Sequence, residues 1–288
     1  MNSAERKGLT HPIVPGVQNI MRVQSEALRS QALIEISQVR QPIPFAALRD
    51  RVRAVLGDEK IYATTFPHIL TELCDELLIS KNRRVFEPTS LGSTAVEAQR
   101  EYQETLFPIA IANQAEILGE DLAAEMSQQI LGNSRRTRTV VPWTLGIAHL
   151  QSDKARLNIL LALTEGANDF QSLRHTVGSR IGQEDMPQST LSNLITELER
   201  KELLKREGNK KRPEYQLTEL GLVSIGAYDS YQERLMHPLA DAVRAKLEKD
   251  LGITVPTQPR INEALNIYAV PFETMVEYTM RTHSPLAL

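Results

Sequence analysis

STLSNLITELERKELLKREGNKKRPEYQLTELG occupies residues 189–221. Leu191, Leu194, Ile195 and Leu198 recur at helical spacing, so its first part reads as an amphipathic helix begun by Ser189 or Thr190. LLKRE and PEYQL then read as two short strands around the polar hairpin GNKKR, with Gly208 and Asn209 as turn formers. Thr218 starts a further helix. Upstream, KARLNILLALTEG has apolar residues at helical spacing and stops at Gly166, and Asp169 caps a second helix, FQSLRHTVGSRIG. The order is three helices, a β-hairpin and a long closing helix.

The same order is written earlier in the chain. FEPTSLGSTAVEAQREYQ (86–103) and YQLTELGLVSIGAYDSYQ (215–232) share Thr, Leu, Gly, Ala, Tyr and Gln at matching places. At a shift of 125, residues 31–80 align with 156–205 without a gap. Twelve of those fifty pairs are identical, among them Ile34/Ile159, Phe45/Phe170, Leu48/Leu173, Arg49/Arg174, Thr65/Thr190, Glu72/Glu197 and Leu73/Leu198. The offset then grows to 129, because KREGNKKRPEY carries four extra residues. A fainter echo pairs VVPWT (140–144) with AVPFE (269–273). Two copies are too few and too long for a solenoid. Two copies of one domain in tandem are expected.

STLSNLITELERKELLKRE followed by RPEYQLTELG resembles winged-helix regulators of the MarR, PadR and HxlR kind, which show T-L-S-x-x-L-x-x-L-E-x-x-G-L-I, a wing, then Y-x-L-T-x-x-G. The likeness covers roughly residues 150–235, and 25–103 through the repeat. Glu202 and Leu77 stand where those families carry glycine, and the first wing, SKNRRV, is short. The resemblance implies a mainly α fold with small β-hairpin wings: two tandem winged helix-turn-helix domains from an internal duplication, each followed by a long helix. The expected layout is an N-terminal extension (1–24), a first domain (25–133), a basic linker (134–149), a second domain (150–252) and a C-terminal extension (253–288). It further implies sequence-specific binding of double-stranded DNA by a transcriptional regulator. The acidic helix expected over 93–133, and its counterpart after residue 222, would face away from DNA. In such proteins the helices after each wing make the dimer, so a tandem fusion would act as a pseudo-dimer, with homodimerisation through the same helices as a further expectation.

An α-helix fits the major groove, where short polar side chains reach base edges and phosphates. On the third helix of the second copy these are Ser189, Thr190, Ser192, Asn193 and Thr196; in the first copy, Thr64, Thr65, Pro67, His68 and Thr71. The bland reading is a solvent-facing helix. Lys205, Arg206, Lys210, Lys211 and Arg212 against Glu207 and Glu214 make the second wing cationic, which suits phosphate or minor-groove contact. The first wing offers Lys81, Arg83 and Arg84, and the linker Arg135, Arg136 and Arg138. A solvated turn or linker is the rival reading for each cluster. Arg49 and Arg174 would meet a phosphate or an acidic neighbour.

A net charge of −3 argues against coating nucleic acid by bulk charge, and leaves room for local basic patches. Cys74 stands alone, which excludes an internal disulfide and fits a reducing, cytoplasmic and nucleoid-associated setting; an isolated helical cysteine is usually inert. No apolar run reaches membrane-spanning length. GSRIGQ lacks the P-loop lysine, the six histidines are scattered, and no nucleophile motif stands out, so neither an enzyme nor a cofactor or metal site is expected. Two alternatives stay open: a tandem winged-helix scaffold for protein partners, resembling condensin accessory proteins, and a plasmid or phage replication initiator.

Overall fold

The computed structural model describes residues 13–57, 65–112, 119–137, 141–209 and 212–252. Among them the chain is mainly helical, with two small antiparallel sheets. The first half runs α1 (Pro15–Gln24), α2 (Ala27–Ser37), β1 (Ile43–Pro44), α3 (Phe45–Leu56), α4 (Thr65–Asp75), β2 (Ile79–Asn82), β3 (Val85–Pro88), α5 (Ser90–Ala112) and α6 (Glu120–Thr137). The second half runs α7 (Pro142–Gln151), α8 (Lys154–Thr164), α9 (Phe170–Ile181), α10 (Gln188–Arg200), β4 (Leu204–Asn209), β5 (Arg212–Leu217) and α11 (Glu219–Leu251). No helix among the described residues is long and apolar enough to cross a membrane.

Local signals place most boundaries. Asp169 accepts from the Gln171 and Ser172 N–H groups at the start of α9, and these bonds, with the Ser172 hydroxyl first, hold its carboxyl below the usual range. Thr89 and Thr218 cap α5 and α11 alike, each accepting from the N–H of a glycine three residues on, Gly92 at 2.9 Å and Gly221 at 3.0 Å. The β1–β3 pairing has its counterpart in a single bridge, Asp169 to Glu214. Leu77 and Glu202 stand at φ +60° and +57°, the left-handed turn where the resembled families carry glycine. Exposed Glu202 has little packing to lose there. Glu202→Gly is expected to raise stability by about 1 kcal/mol, read from urea unfolding; a loss would mean that its side chain matters more than its backbone.

Two helices stand where an extension and a linker are expected from the sequence. α1 sends Val17 and Ile20 into the core with no exposed surface, and α7 does the same with Ile147. The expected boundary at 149/150 falls inside α7. At an offset of 127 these helices match: Val14/Val141, Pro15/Pro142, Ile20/Ile147, Gln24/Gln151, Ser25/Ser152 and Arg29/Arg156. The loop after α2 is two residues longer than the loop after α8, so the offset becomes 125 only from α3 onward. Ile34 therefore matches Leu161 in position, not Ile159. Among the described residues, the segment after the first hairpin, expected as one acidic closing helix, holds two helices, α5 and α6. The extensions 1–12 and 253–288 lie outside the described residues.

The two halves are joined by reciprocal bonds. α5 and α11 cross where Tyr102 and Tyr231 meet edge to face, with ring centroids 6.1 Å apart. The Tyr102 hydroxyl donates to Gln151 Oε1 of α7 at 2.5 Å, and the Tyr231 hydroxyl donates to Gln24 Oε1 of α1 at 2.5 Å. The Val141 N–H donates to Gln103 Oε1 of α5 at 2.6 Å, and the Val14 N–H to Gln232 Oε1 of α11 at 3.0 Å. Neither valine has a side chain to cap its helix, and both sites are buried, so a glutamine from across the interface satisfies the donor. Each half's leading helix is thus held by the other half's long helix. Arg234 of α11 adds ion pairs to Glu101 and Glu97 of α5 at 2.5 and 3.0 Å.

Candidate nucleic-acid interface

α10 buries Leu191, Leu194, Ile195 and Leu198 and leaves Ser189, Thr190, Ser192 and Asn193 exposed. Thr196 is half-buried, its hydroxyl donating to the Ser192 carbonyl at 2.9 Å. α4 buries Phe66, Ile69, Leu70 and Leu73 and exposes Thr65, Pro67, His68 and Thr71, the last donating to the Pro67 carbonyl at 3.0 Å. Thr71 and Thr196 spend their hydroxyl proton on their own helix, which leaves them as acceptors.

Acidic residues on these helices are paired with arginines from neighbouring elements. Arg156 of α8 donates to Glu197 through Nε and Nη2 at 2.8 and 2.6 Å. Arg29 of α2 donates to Glu72 at 2.5 Å and, foremost through that bond, holds its carboxyl below the usual range. Glu199 meets Arg206 at 3.2 Å. Glu72, Glu197 and Glu199 are thus drawn away from the outward faces, which carry hydroxyls, an amide and an imidazole, while Asp75 at the end of α4 stays exposed. The Arg29 and Arg156 anchors are absent from the sequence-based expectations; their signal is the identical arginine at offset 127. Arg174, expected to meet a phosphate or an acid, ties the turn before α10: it donates to the Met186 carbonyl at 2.8 Å and pairs with Asp185 at 3.3 Å. A side chain at Gly178 would lie 2.7 Å from the Met186 nitrogen, so that turn sits tightly on α9. Arg49 lies 3.6 Å from Asp50.

The hairpins differ. Lys81, Arg83 and Arg84 are all exposed, and none forms an ion pair among the described residues. Arg83 sits at φ +57° in the two-residue turn between β2 and β3, a position at which glycine or asparagine is cheaper. In the second hairpin Lys205 pairs with Glu207 at 2.5 Å, while Arg206 pairs with Glu199 and lies 5.5 Å from the centre of the Tyr215 ring. A groove beside Ser192, against the middle of the second hairpin, is lined also by Asp169, Phe170 and Glu214. Thr64, Lys210, Lys211 and Arg138 lie outside the described residues. Arg212 is placed in β5, and Arg135 and Arg136 in the last turn of α6, by backbone alone.

Burial pushes the Cys74 thiol above its usual range, foremost by desolvation, which favours the less reactive protonated form. Among the described residues no group of three or more His, Cys, Asp or Glu side chains could hold a metal ion. No family model, curated protein or solved structure matches the chain.

Proposed function

We propose that the chain is a double-stranded-DNA-binding transcriptional regulator, built from two winged helix-turn-helix units that arose by internal duplication and act as a fused pseudo-dimer. The observation that carries this reading is the reciprocal exchange of Tyr102–Gln151 with Tyr231–Gln24, and of Gln103–Val141 with Gln232–Val14. Exchange of equivalent bonds is what a twofold protein dimer leaves behind when its subunits become one chain. The outward hydroxyl and amide face of α10 supplies base and phosphate contacts in a major groove. The matching face of α4 takes the second half-site. Arg83 supports the reading from another side, since a left-handed arginine at a hairpin tip costs about 1 kcal/mol and persists where its charge is used.

A second reading, a scaffold for protein partners, is favoured by one feature. The middle of the second hairpin carries Glu214 with Asp169 bridged to it, and the hairpin's Lys205 and Arg206 are already engaged with carboxylates. Fluorescence anisotropy of generic duplex and genomic fragments across a salt series separates the two. Log affinity is expected to fall linearly with log salt, and alanine at Lys81, Arg83 and Arg84 to flatten the slope by about 2–3. S192A with N193A is expected to cost about 1–3 kcal/mol on the preferred sequence and to leave the slope unchanged. Arg83→Gly is the sharper probe: it is expected to stabilise the fold while weakening DNA binding. Absence of binding at low salt, on genomic fragments as well as generic duplex, overturns the DNA reading and leaves the scaffold.

A further inference from the structure

α4 and α10 have matching seats and unlike faces. Each buries four apolar residues at equivalent places, from Phe66 and Leu191 to Leu73 and Leu198. Each is tied to an equivalent arginine, Glu72 to Arg29 and Glu197 to Arg156. In each, a threonine hydroxyl donates to the carbonyl four residues back, Thr71 at 3.0 Å and Thr196 at 2.9 Å. Two exposed positions on the outward face differ: Pro67 and His68 stand where α10 has Ser192 and Asn193. Pro67 is the third residue of α4, in the first turn, where a backbone N–H has no helical partner to lose. The exchange leaves the helix intact and alters its chemistry. A hydroxyl and an amide are replaced by a ring without a hydrogen-bonding group and an imidazole. A second difference lies on the hairpins. The same register is bridged in both halves, Pro44 to Val85 in the first and Asp169 to Glu214 in the second. The acidic bridge lines a groove together with Ser192.

We propose that the two halves read opposite base chemistry, so that the DNA site has unlike half-sites and holds the chain in one orientation. This inference rests on the double-stranded-DNA reading above. In the major groove adenine and cytosine show an exocyclic amine, guanine shows two acceptors, and thymine an acceptor and a methyl group. The Asn193 amide accepts and donates on one edge, which brackets N6 and N7 of adenine. The Glu214 carboxylate, on the groove beside Ser192, accepts from amines. The second half therefore takes amine-bearing bases, with adenine opposite Asn193. An imidazole carries its two nitrogens on opposite edges of the ring, so His68 cannot bracket adenine. It gives one N–H to guanine, whose N7 and O6 both accept. Pro67 offers only apolar surface, which fits a thymine methyl. The first half therefore takes guanine and thymine at the places where the second takes amines.

Enrichment of duplexes from a random pool by the full chain tests this. The enriched site is expected to hold two half-sites in approximate twofold relation, with guanine in one where adenine stands in the other on the contacted strand. H68A is expected to relax the guanine position alone, and N193A the adenine position alone. P67S with H68N is expected to make the half-sites alike, and to bind a palindrome of the adenine half-site about tenfold tighter than the wild type does. N193H is the reverse exchange on the other helix, expected to bring guanine into both half-sites; it keeps the test decisive if the double variant unfolds, which circular dichroism would report. Two equal half-sites, a single half-site, or a preference unmoved by these exchanges overturns the inference and leaves the DNA reading standing. Absence of any enriched duplex overturns both.

Discussion

Gly221→Ala and Gly92→Ala are each expected to lower stability by more than about 3 kcal/mol, a large part of the total for a protein of this size. A Cβ at Gly221 would lie 1.9 Å from the Leu203 carbonyl oxygen, and one at Gly92 1.8 Å from that of Leu78. The obstacle is backbone, so no rotamer relieves it. Those carbonyls are also fixed, because they accept the Thr218 and Thr89 N–H groups at 3.2 and 3.1 Å. Relief would need the long helix to lift off the hairpin entrance and break its own cap. Gly226→Ala is the control: it lies exposed in the same helix with nothing within 4 Å, and alanine there is expected to stabilise by up to about 1 kcal/mol. Urea unfolding followed by circular dichroism gives all three values. A loss below about 1 kcal/mol at Gly221 would show that α11 does not press on Leu203.

Alkaline pH should unfold the protein through the joint between its halves. Burial pushes the hydroxyls of Tyr102, Tyr228 and Tyr231 well above the ordinary tyrosine range; neighbouring tyrosines add to it at Tyr102 and Tyr231, and Asp229 at Tyr228. Raised folded-state values mean that the unfolded chain releases these protons first. The stability is therefore fully present below about pH 10 and is lost as pH climbs above it. For three such groups the loss is about 3 kcal/mol between pH 10 and 11, and steeper beyond. Guanidinium unfolding at a series of pH values reads it. Tyr231→Phe is expected to remove about a third of the pH-dependent loss, at a fixed cost of about 1–2 kcal/mol for leaving Gln24 without its donor. A stability that stays flat from pH 10 to 11 would mean that the tyrosines are hydrated and that the halves are not packed as described.

Elements built on local rules are legible in the sequence alone. The apolar spacing of Leu191, Leu194, Ile195 and Leu198, the Asp169 and Thr218 caps, and the short runs around GNKKR all act within a few residues. The structure places the helix, the Asp169 and Thr218 caps and the hairpin where those rules put them, but α10 starts at Gln188 behind Pro187 rather than at Ser189 or Thr190, and Gly208 and Asn209, expected in the turn, end strand β4. The polar faces of α4 and α10 follow from the same periodicity, because a helix that buries one face shows the other. The leading helices are hidden. α1 begins at Val14-Pro15 without a side-chain cap, and what holds it is Gln232, 218 residues away. The 125-residue offset conceals the match with α7, because the shorter loop after α8 shifts the register by two. Arg29 and Arg156 look like ordinary surface charges until the fold sets Glu72 and Glu197 beside them.

By itself, then, the sequence determined the helices and hairpin of the repeated unit and which side chains α4 and α10 present outward, but neither the leading helices α1 and α7 nor the break between α5 and α6. What it determined depends on spacing, capping and backbone sterics over one or two turns. Tertiary structure alone decided that each leading helix rests on the opposite long helix and that Tyr102 and Tyr231 share one buried joint. It also decided that the second hairpin's Lys205 and Arg206 are engaged with carboxylates, while the first hairpin's cations form no ion pair among the described residues. The pairings at the joint link residues 38 to 218 positions apart. No local preference encodes them: they exist because a buried N–H, hydroxyl or amide must find a partner once water has been excluded.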